Sequence, residues 1–216
     1  QNLIYNERRQ KDCIKLFEIA DIYSTNSNSS ERLLGIIASG RVGNNYEDFS
    51  KKIDIKYLEK TLQSLNIDES CIENISRQNI ESKSKNLINY IEISIDAFDN
   101  VNYGFDEIKM PFIEKKLYCP ISDYPSSIRD LSFAIKDYSK SESLQKLLLN
   151  FHHEILKEVF IFDYYVNEKH EEIKIGFRFV FQSLDSTITD FQVSEVMNDI
   201  IKESLKFDTV SIPGLL

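Results

Sequence analysis

Cysteine is scarce in this sequence: Cys13, Cys71 and Cys119 are odd in number, far apart and never in a C-x-x-C pair. That usage argues against a disulfide framework and a cysteine zinc site, and fits a reducing, cytoplasmic compartment. No apolar run reaches the roughly 18 residues of a membrane-spanning helix, so no membrane is implied. The start, QNLIYNERRQKD, lacks the apolar segment of a secretory signal. Opening mid-pattern and without Met, it reads as a piece of a longer polypeptide. Positive charge is also short, since 26 Lys and Arg stand against 35 Asp and Glu, a net charge of −9. Phosphate neutralisation favours basic proteins, so indiscriminate nucleic-acid binding is disfavoured; a local basic patch on an acidic body is not.

Constellations for catalysis or metal binding are missing too. GRVGNN (residues 40–45) matches neither phosphate-loop pattern and reads as a turn. His152 and His153 are adjacent, so they cannot share a helix face. The run His170-Glu171-Glu172 lacks metal-ligand spacing, and its carboxylates read as solvated charges. The serines of SSERLL and SKSES have no histidine–carboxylate partner nearby. No catalytic, cofactor-binding or metal-binding residue is therefore assigned in this chain.

What is present is an ordinary globular composition, 42% hydrophobic and 28% charged, on 216 residues, enough for one large or two small domains. Three of the 4 prolines crowd into KMPFIEKKLYCPISDYP, an extended connector that puts a boundary near Pro120. Before it, IKLFEIADIY and RLLGIIASG read as strands, and TNSNSSE as a loop. DIKYLEKTLQSLNI, Asp54 to Ile67, has Ile55, Leu58, Leu62 and Leu65 at helical spacing. Glu69 to Lys85 is polar and weakly patterned. NYIEISIDAF alternates Ile91, Ile93 and Ile95 against polar residues, a half-buried strand.

After the connector the periodicity sharpens. Leu131, Phe133 and Ile135 share one face of a strand. Ser139 with Glu142 suggests a capping box, followed by Leu144, Leu147, Leu148, Phe151 and Ile155 at helical spacing. VFIFDYYV is a strand with apolar residues on both faces, and NEKHEE a turn. IKIGFRFVFQ puts Ile173, Ile175, Phe177, Phe179 and Phe181 on one face. Thr189 with Gln192 is a second capping box, opening a helix through Val193, Val196, Met197, Ile200, Ile201 and Leu205. DTVSI closes as a short strand. The order β-α-β-β-α-β is the split ferredoxin-like arrangement, with both helices on one face of a four-stranded antiparallel sheet and the other face open.

YPSSIRDLSF, VFIFDYY, KIGFRFVFQ and STITDFQVSEVM, in this order, resemble the ferredoxin-fold anticodon-binding domain that ends the bacterial phenylalanyl-tRNA synthetase beta subunit. Upstream, NLIYNERRQKDCIKLFEIADIY looks like a strand pair of the preceding domain in that subunit, and NYIEISIDAF like another of its strands. That preceding domain resembles a class II synthetase catalytic fold without its catalytic residues. The chain departs from the pattern at Ala20, where glycine is usual, in the turn VNEKHEE, and in the tail TVSIPGLL. The resemblance implies an α+β chain in two parts. Residues 1–119 would be part of the inactive catalytic-like domain, and residues 120–216 the anticodon-binding domain. It also implies tRNA(Phe) and the synthetase alpha subunit as partners, in a heterotetramer of two alpha and two beta chains. ATP and Mg2+ would act at the alpha subunit, in the cytoplasm.

Six residues are candidates for RNA contact under this resemblance: Arg129, Ser132, Tyr164, Lys174, Arg178 and Gln182. Lys174, Arg178 and Gln182 alternate away from the phenylalanine face, giving two cations and an amide on the open sheet. Tyr164 or Phe162 would supply a ring for base stacking. Arg129 has three readings: a clamp on a connector carbonyl, a pair with a carboxylate such as Asp163, or a phosphate contact. The rival reading is a ferredoxin-like protein-interaction or regulatory module that binds no RNA. An acylphosphatase-like hydrolase needs an anion-cradling loop after the first strand, and KDYSKSES has neither glycine nor arginine.

Overall fold

A computed structural model of the chain describes residues 1–23, 30–63, 72–74, 83–95, 118, 120–169 and 171–214. The expectations for Cys71, Cys119, His170, Leu65, Asp96 to Phe98, Pro111 and most of the TNSNSSE loop lie outside those residues. The chain divides into two compact units, Gln1–Arg41 with Lys52–Cys119, and Val42–Lys51 with Pro120–Leu216.

The first unit holds α1 (Asn2–Arg8), β1 (Cys13–Tyr23), β2 (Ser30–Gly40), α2 (Ile55–Gln63), β3 (Ile72–Asn74) and β4 (Ile88–Ser94). Its strands form an antiparallel sheet in the order β1-β2-β4-β3. Where the resemblance implied a strand pair, the N-terminal stretch is the short helix α1 leading into β1. β3 arises inside the stretch expected to be unpatterned. Ile91 and Ile93 of β4 are buried, as their alternation with polar residues requires. Leu58 and Leu62 bury one stripe of α2, while Ile55, expected on that stripe, is exposed in the first turn. β1 lies at one edge of the sheet and exposes Phe17, Ile19, Ile22 and Tyr23.

In the second unit β5 (Ser127–Ile135), α3 (Tyr138–Leu149), β6 (Leu156–Asn167), β7 (Glu172–Phe181), α4 (Asp190–Ser204) and β8 (Val210–Ser211) follow one another. Sheet order is β6-β7-β5-β8, every neighbouring pair antiparallel. This is the expected ferredoxin-like fold. Phe133, Ile135, Ile173, Ile175, Phe177, Phe179 and Phe181 form one core with Leu144 and Leu148 of α3 and Val193, Val196 and Ile200 of α4. Both helices therefore cover the same sheet face. The Phe133 ring meets Phe177 edge-on, centroids 5.7 Å apart.

The two helix starts differ. Thr189 and Gln192 make the expected reciprocal capping box of α4. At α3 the cap is Asp137, whose carboxylate accepts the Ser139 N–H at 2.9 Å, not the expected Ser139–Glu142 box. Aspartate at that position presents an acceptor to the free N–H groups, and Glu142 pairs with Lys146 one turn on. α3 ends at Leu149, so Phe151 and Ile155 join the core from the return to β6 rather than from the helix.

Candidate nucleic-acid interface

Strand alternation sends Lys174, Gly176 and Arg178 of β7 to the sheet face away from the helices. Register places Ala134, Ser132 and Asp130 of β5 directly opposite them. On the other side of β7, Tyr165 is opposite Lys174 and Phe160 is opposite Arg178. Between those two, β6 carries a bulge: Ile161 pairs with Phe177 and Asp163 with Gly176, leaving Phe162 extra. The apolar character of both faces of VFIFDYYV, ambiguous in sequence, follows from this. Val159 and Ile161 join the helix-side core, while Phe160 and Phe162 serve the opposite face.

That opposite face is not wholly bare. Residues Val42–Lys51 lie on it, a correction to the expectation of an open sheet. Phe49 sets its ring 6.0 Å from Phe160 and 5.4 Å from Phe162, and the Arg178 guanidinium lies 4.7 Å above the Phe49 centroid. The segment is shaped by its own bonds. Asn45 Oδ1 accepts the N–H groups of Glu47 and Asp48, and the Phe49 N–H donates to the Asn45 carbonyl at 2.8 Å. Lys51 Nζ donates to Asp48 Oδ1 at 3.0 Å, and the Val42 N–H to the Lys51 carbonyl at 3.1 Å. Such local closure fixes Phe49 before it docks and lowers the entropy lost on packing.

Gly176 is the other device. A β-carbon there would come within 2.8 Å of the Phe162 ring, so only glycine lets that ring lie flat on the strand.

The six candidate residues are dispersed. Arg178 makes a two-point ion pair with Asp130, at 2.8 and 2.7 Å, and is only 19% exposed beneath Phe49. Arg129 is opposite Phe179, on the helix side, where it donates to Asp190 at 2.7 Å, to Ser127 Oγ at 2.9 Å and to the Ile128 carbonyl at 3.0 Å. Its carboxylate partner is thus Asp190 and not Asp163, because strand parity turns it toward the start of α4. Gln182 holds the connector: its amide donates to the Tyr124 carbonyl at 2.6 Å, and Lys157 Nζ donates to its Oε1. Tyr164 packs against the helix-side core and sets its ring 5.4 Å from Tyr46. Ser132 and Lys174 remain exposed, Lys174 with Glu172 Oε2 at 3.5 Å.

Sequence reasoning missed Tyr165, Phe49 and the role of Gly176. Tyr165 was one residue away from the ring that was named, and the bulge decides which tyrosine faces out. Phe49 and Tyr46 are aromatics in an otherwise polar loop, which is the signal that was available. Among the described residues no group of three or more potential metal ligands occurs, and no helix is long and apolar enough to cross a membrane.

Residues 122–209 match the family of ferredoxin-fold anticodon-binding domains. The chloroplastic phenylalanine--tRNA ligase beta subunit of Pyropia yezoensis is 26% identical over 203 residues, 86% of this chain and 27% of its own length. The phenylalanine--tRNA ligase beta subunit of Staphylococcus aureus is 25% identical over 223 residues, covering 91% of this chain and 28% of itself. That of Syntrophus aciditrophicus is 34% identical over 99 residues, 45% of this chain and 12% of its own. The chain thus spans little more than a quarter of the curated relatives it matches over most of its length.

Proposed function

We propose, on the premise that this chain is a relative of phenylalanine--tRNA ligase beta subunits with a ferredoxin-fold anticodon-binding domain at residues 122–209, that it serves tRNA(Phe) aminoacylation without catalysing it. The observation that carries this reading is the coincidence of that domain match with the sheet order β6-β7-β5-β8 and both helices on one face. Its second unit holds the anticodon region of tRNA(Phe). Its first unit, a catalytic-like domain without catalytic residues, docks the alpha subunit, where ATP and Mg2+ act, in an assembly of two alpha and two beta chains in the cytoplasm.

Support for a protein interface in the first unit comes from β1. Phe17 and Tyr23 are each 75% exposed on that edge strand, and Ile19 and Ile22 stand beside them. Ile91 and Ile93 of β4 are buried and add nothing to that surface. An edge strand with outward aromatics is a surface that proteins ordinarily cover.

A second reading, a protein-interaction module without RNA binding, is favoured by the docking of Phe49 on half of the sheet face and by the engagement of Arg178 with Asp130. Filter binding of labelled tRNA(Phe) and of an unrelated tRNA across a salt series separates the two. The RNA reading expects preference for tRNA(Phe) and affinity that falls with salt, with a shallow slope because few cations face outward. No binding of either tRNA supports the second, and equal binding of both counts against recognition of tRNA(Phe). Co-purification with the alpha subunit tests the first unit independently.

A further inference from the structure

The first unit has a cavity that the proposed function leaves unused. It measures about 270 Å³ and opens between Leu3, Leu16, Glu18, Gly35, Ile37 and Tyr90, on the sheet face that carries α1. Strand register builds it in two rows. Leu16, Ile37 and Tyr90 are cross-strand neighbours on β1, β2 and β4, and with Leu3 of α1 they make an apolar wall. The next row is Glu18, Gly35 and Glu92, so a carboxylate stands one strand away on either side of a glycine. With strands about 4.8 Å apart, a group seated over Gly35 lies within reach of both side chains. The Tyr90 hydroxyl donates to Glu92 along β4 and sits beside the glycine.

Among the described residues, no packing contact requires glycine at position 35. A β-carbon there would meet only the Glu18 carbonyl oxygen and the Tyr90 hydroxyl, each at 3.9 Å, which is ordinary contact. At Gly176, by contrast, the Phe162 ring fills the space a side chain would take. An interior glycine weakens a strand, and where no neighbour fills its place it leaves room for a ligand. We propose that this cavity binds a primary ammonium carried on a short apolar stem. The ammonium sits over Gly35, between the Glu18 and Glu92 carboxylates and against the Tyr90 ring, and the stem lies along Leu3, Leu16 and Ile37. Carboxylates accept charged N–H donors strongly, an aromatic ring attracts the same cation, and a net charge of −9 disfavours an anion. A free alkylamine and a lysine side chain of a partner offer the same group. The site is independent of the RNA-binding reading, because none of its residues belongs to the second unit.

The test follows backbone amide resonances of the full, isotope-labelled chain during titration with n-butylamine, butan-1-ol and butyrate, which share a stem and differ in charge. Butylamine is expected to shift Leu16, Glu18, Gly35 and Tyr90 saturably, and the other two are not. No response to butylamine, or saturable shifts of the same amides by butanol or butyrate, overturns the assignment. Glu18→Gln is expected to weaken butylamine binding about tenfold, the loss of one charged hydrogen bond. Gly35→Val is expected to abolish it by filling the notch, with a thermal midpoint near wild type because valine suits a strand. Unchanged butylamine affinity in either variant overturns the site. Nα-acetyl-lysine N-methylamide carries the same stem on a peptide backbone and separates the two sources. Binding tighter than butylamine assigns the site to a partner's lysine, and weaker binding assigns it to a free amine.

Discussion

Arg178 and Asp130 stand directly opposite each other on β7 and β5 and share two hydrogen bonds, Nε to Oδ1 at 2.8 Å and a terminal nitrogen to Oδ2 at 2.7 Å. The neighbour of Asp130 in sequence, Arg129, pairs with Asp190 on the other side of the sheet. A charged dipeptide at the start of a strand thus ties both faces at once, the acid to the central strand and the base to a helix start.

Removing Asp130 should therefore cost more than an ordinary surface ion pair. Asp130→Ala takes two acceptors from a planar cation that packs against Phe49 and Phe162. A charged hydrogen-bonded pair of this kind is worth about 1.5–3 kcal/mol, and the partial exposure of Asp130 places the loss near the lower end. Urea unfolding checks it. Arg178→Lys should lose nearly as much, since an ammonium cannot reproduce the fork. A midpoint unchanged in both variants would show the pair to be incidental.

The aromatic dock predicts a second pair of outcomes. Phe49 is 8% exposed, so Phe49→Ala should destabilise by about 2–4 kcal/mol, at or below the usual loss for a buried phenylalanine. Gly176→Ala places a methyl group 2.8 Å from the Phe162 ring and should cost about 1–3 kcal/mol through overpacking. Combined with Phe162→Ala, the Gly176→Ala penalty should largely vanish, because the clashing ring is gone. Denaturant midpoints of the single and double variants measure the coupling; full additivity would contradict the geometry.

These contacts also mark where the sequence stops being readable. The helix-side core was legible because Ile173 to Phe181 alternate without interruption and the two helices carry apolar residues at helical spacing. Thr189 with Gln192 was legible because a capping box is local. Phe49 was not, since its partners lie more than a hundred positions along the chain and no periodicity encodes that distance. The bulge at Phe162 was equally hidden, because a run apolar on both faces carries no parity from which a one-residue slip could be seen. Of the three readings of Arg129 the carboxylate pair is present, with Asp190 rather than Asp163, as nothing in the spacing distinguishes the two acids. Gly176 within a strand was the one local hint of close approach, and it went unused.

Asp137 carries a prediction about pH. The hydrogen bonds it accepts from Ser139 hold its carboxyl below the usual carboxylate range, opposed by a smaller effect of burial and aided by Lys140. A carboxylate with a lowered folded-state pKa stabilises the fold above its unfolded pKa, and that stabilisation is lost as pH falls through the folded value. Asp21, held down by Arg32, and Glu142, held down by Lys146, act in the same direction. Wild type should thus lose stability on acidification from neutral pH to below the ordinary carboxylate range. Asp137→Asn keeps a capping acceptor without the charge. Its stability should depend less on pH across that window, and identical pH profiles would show that Asp137 does not titrate with folding.

At the start of α4, Thr189 and Asp190 divide the labour between cap and tether, and substitutions there separate the two. Thr189→Ala removes the hydroxyl that accepts the Gln192 N–H at 3.3 Å and should cost about 1 kcal/mol. Arg129→Ala breaks a pair whose acid is 90% exposed, so its Coulombic share is at most about 1 kcal/mol. Its bonds to Ser127 and the Ile128 carbonyl add a local loss at the first residues of β5. Hydrogen exchange distinguishes them: Thr189→Ala should accelerate exchange in the first turn of α4, and Arg129→Ala at Ser127 to Asp130 as well. Because Arg129 reaches the first helical residue, the two losses should be non-additive in the double variant. Independent losses, with β5 protection unchanged in Arg129→Ala, would reduce the arginine to a surface charge and leave it free for another partner.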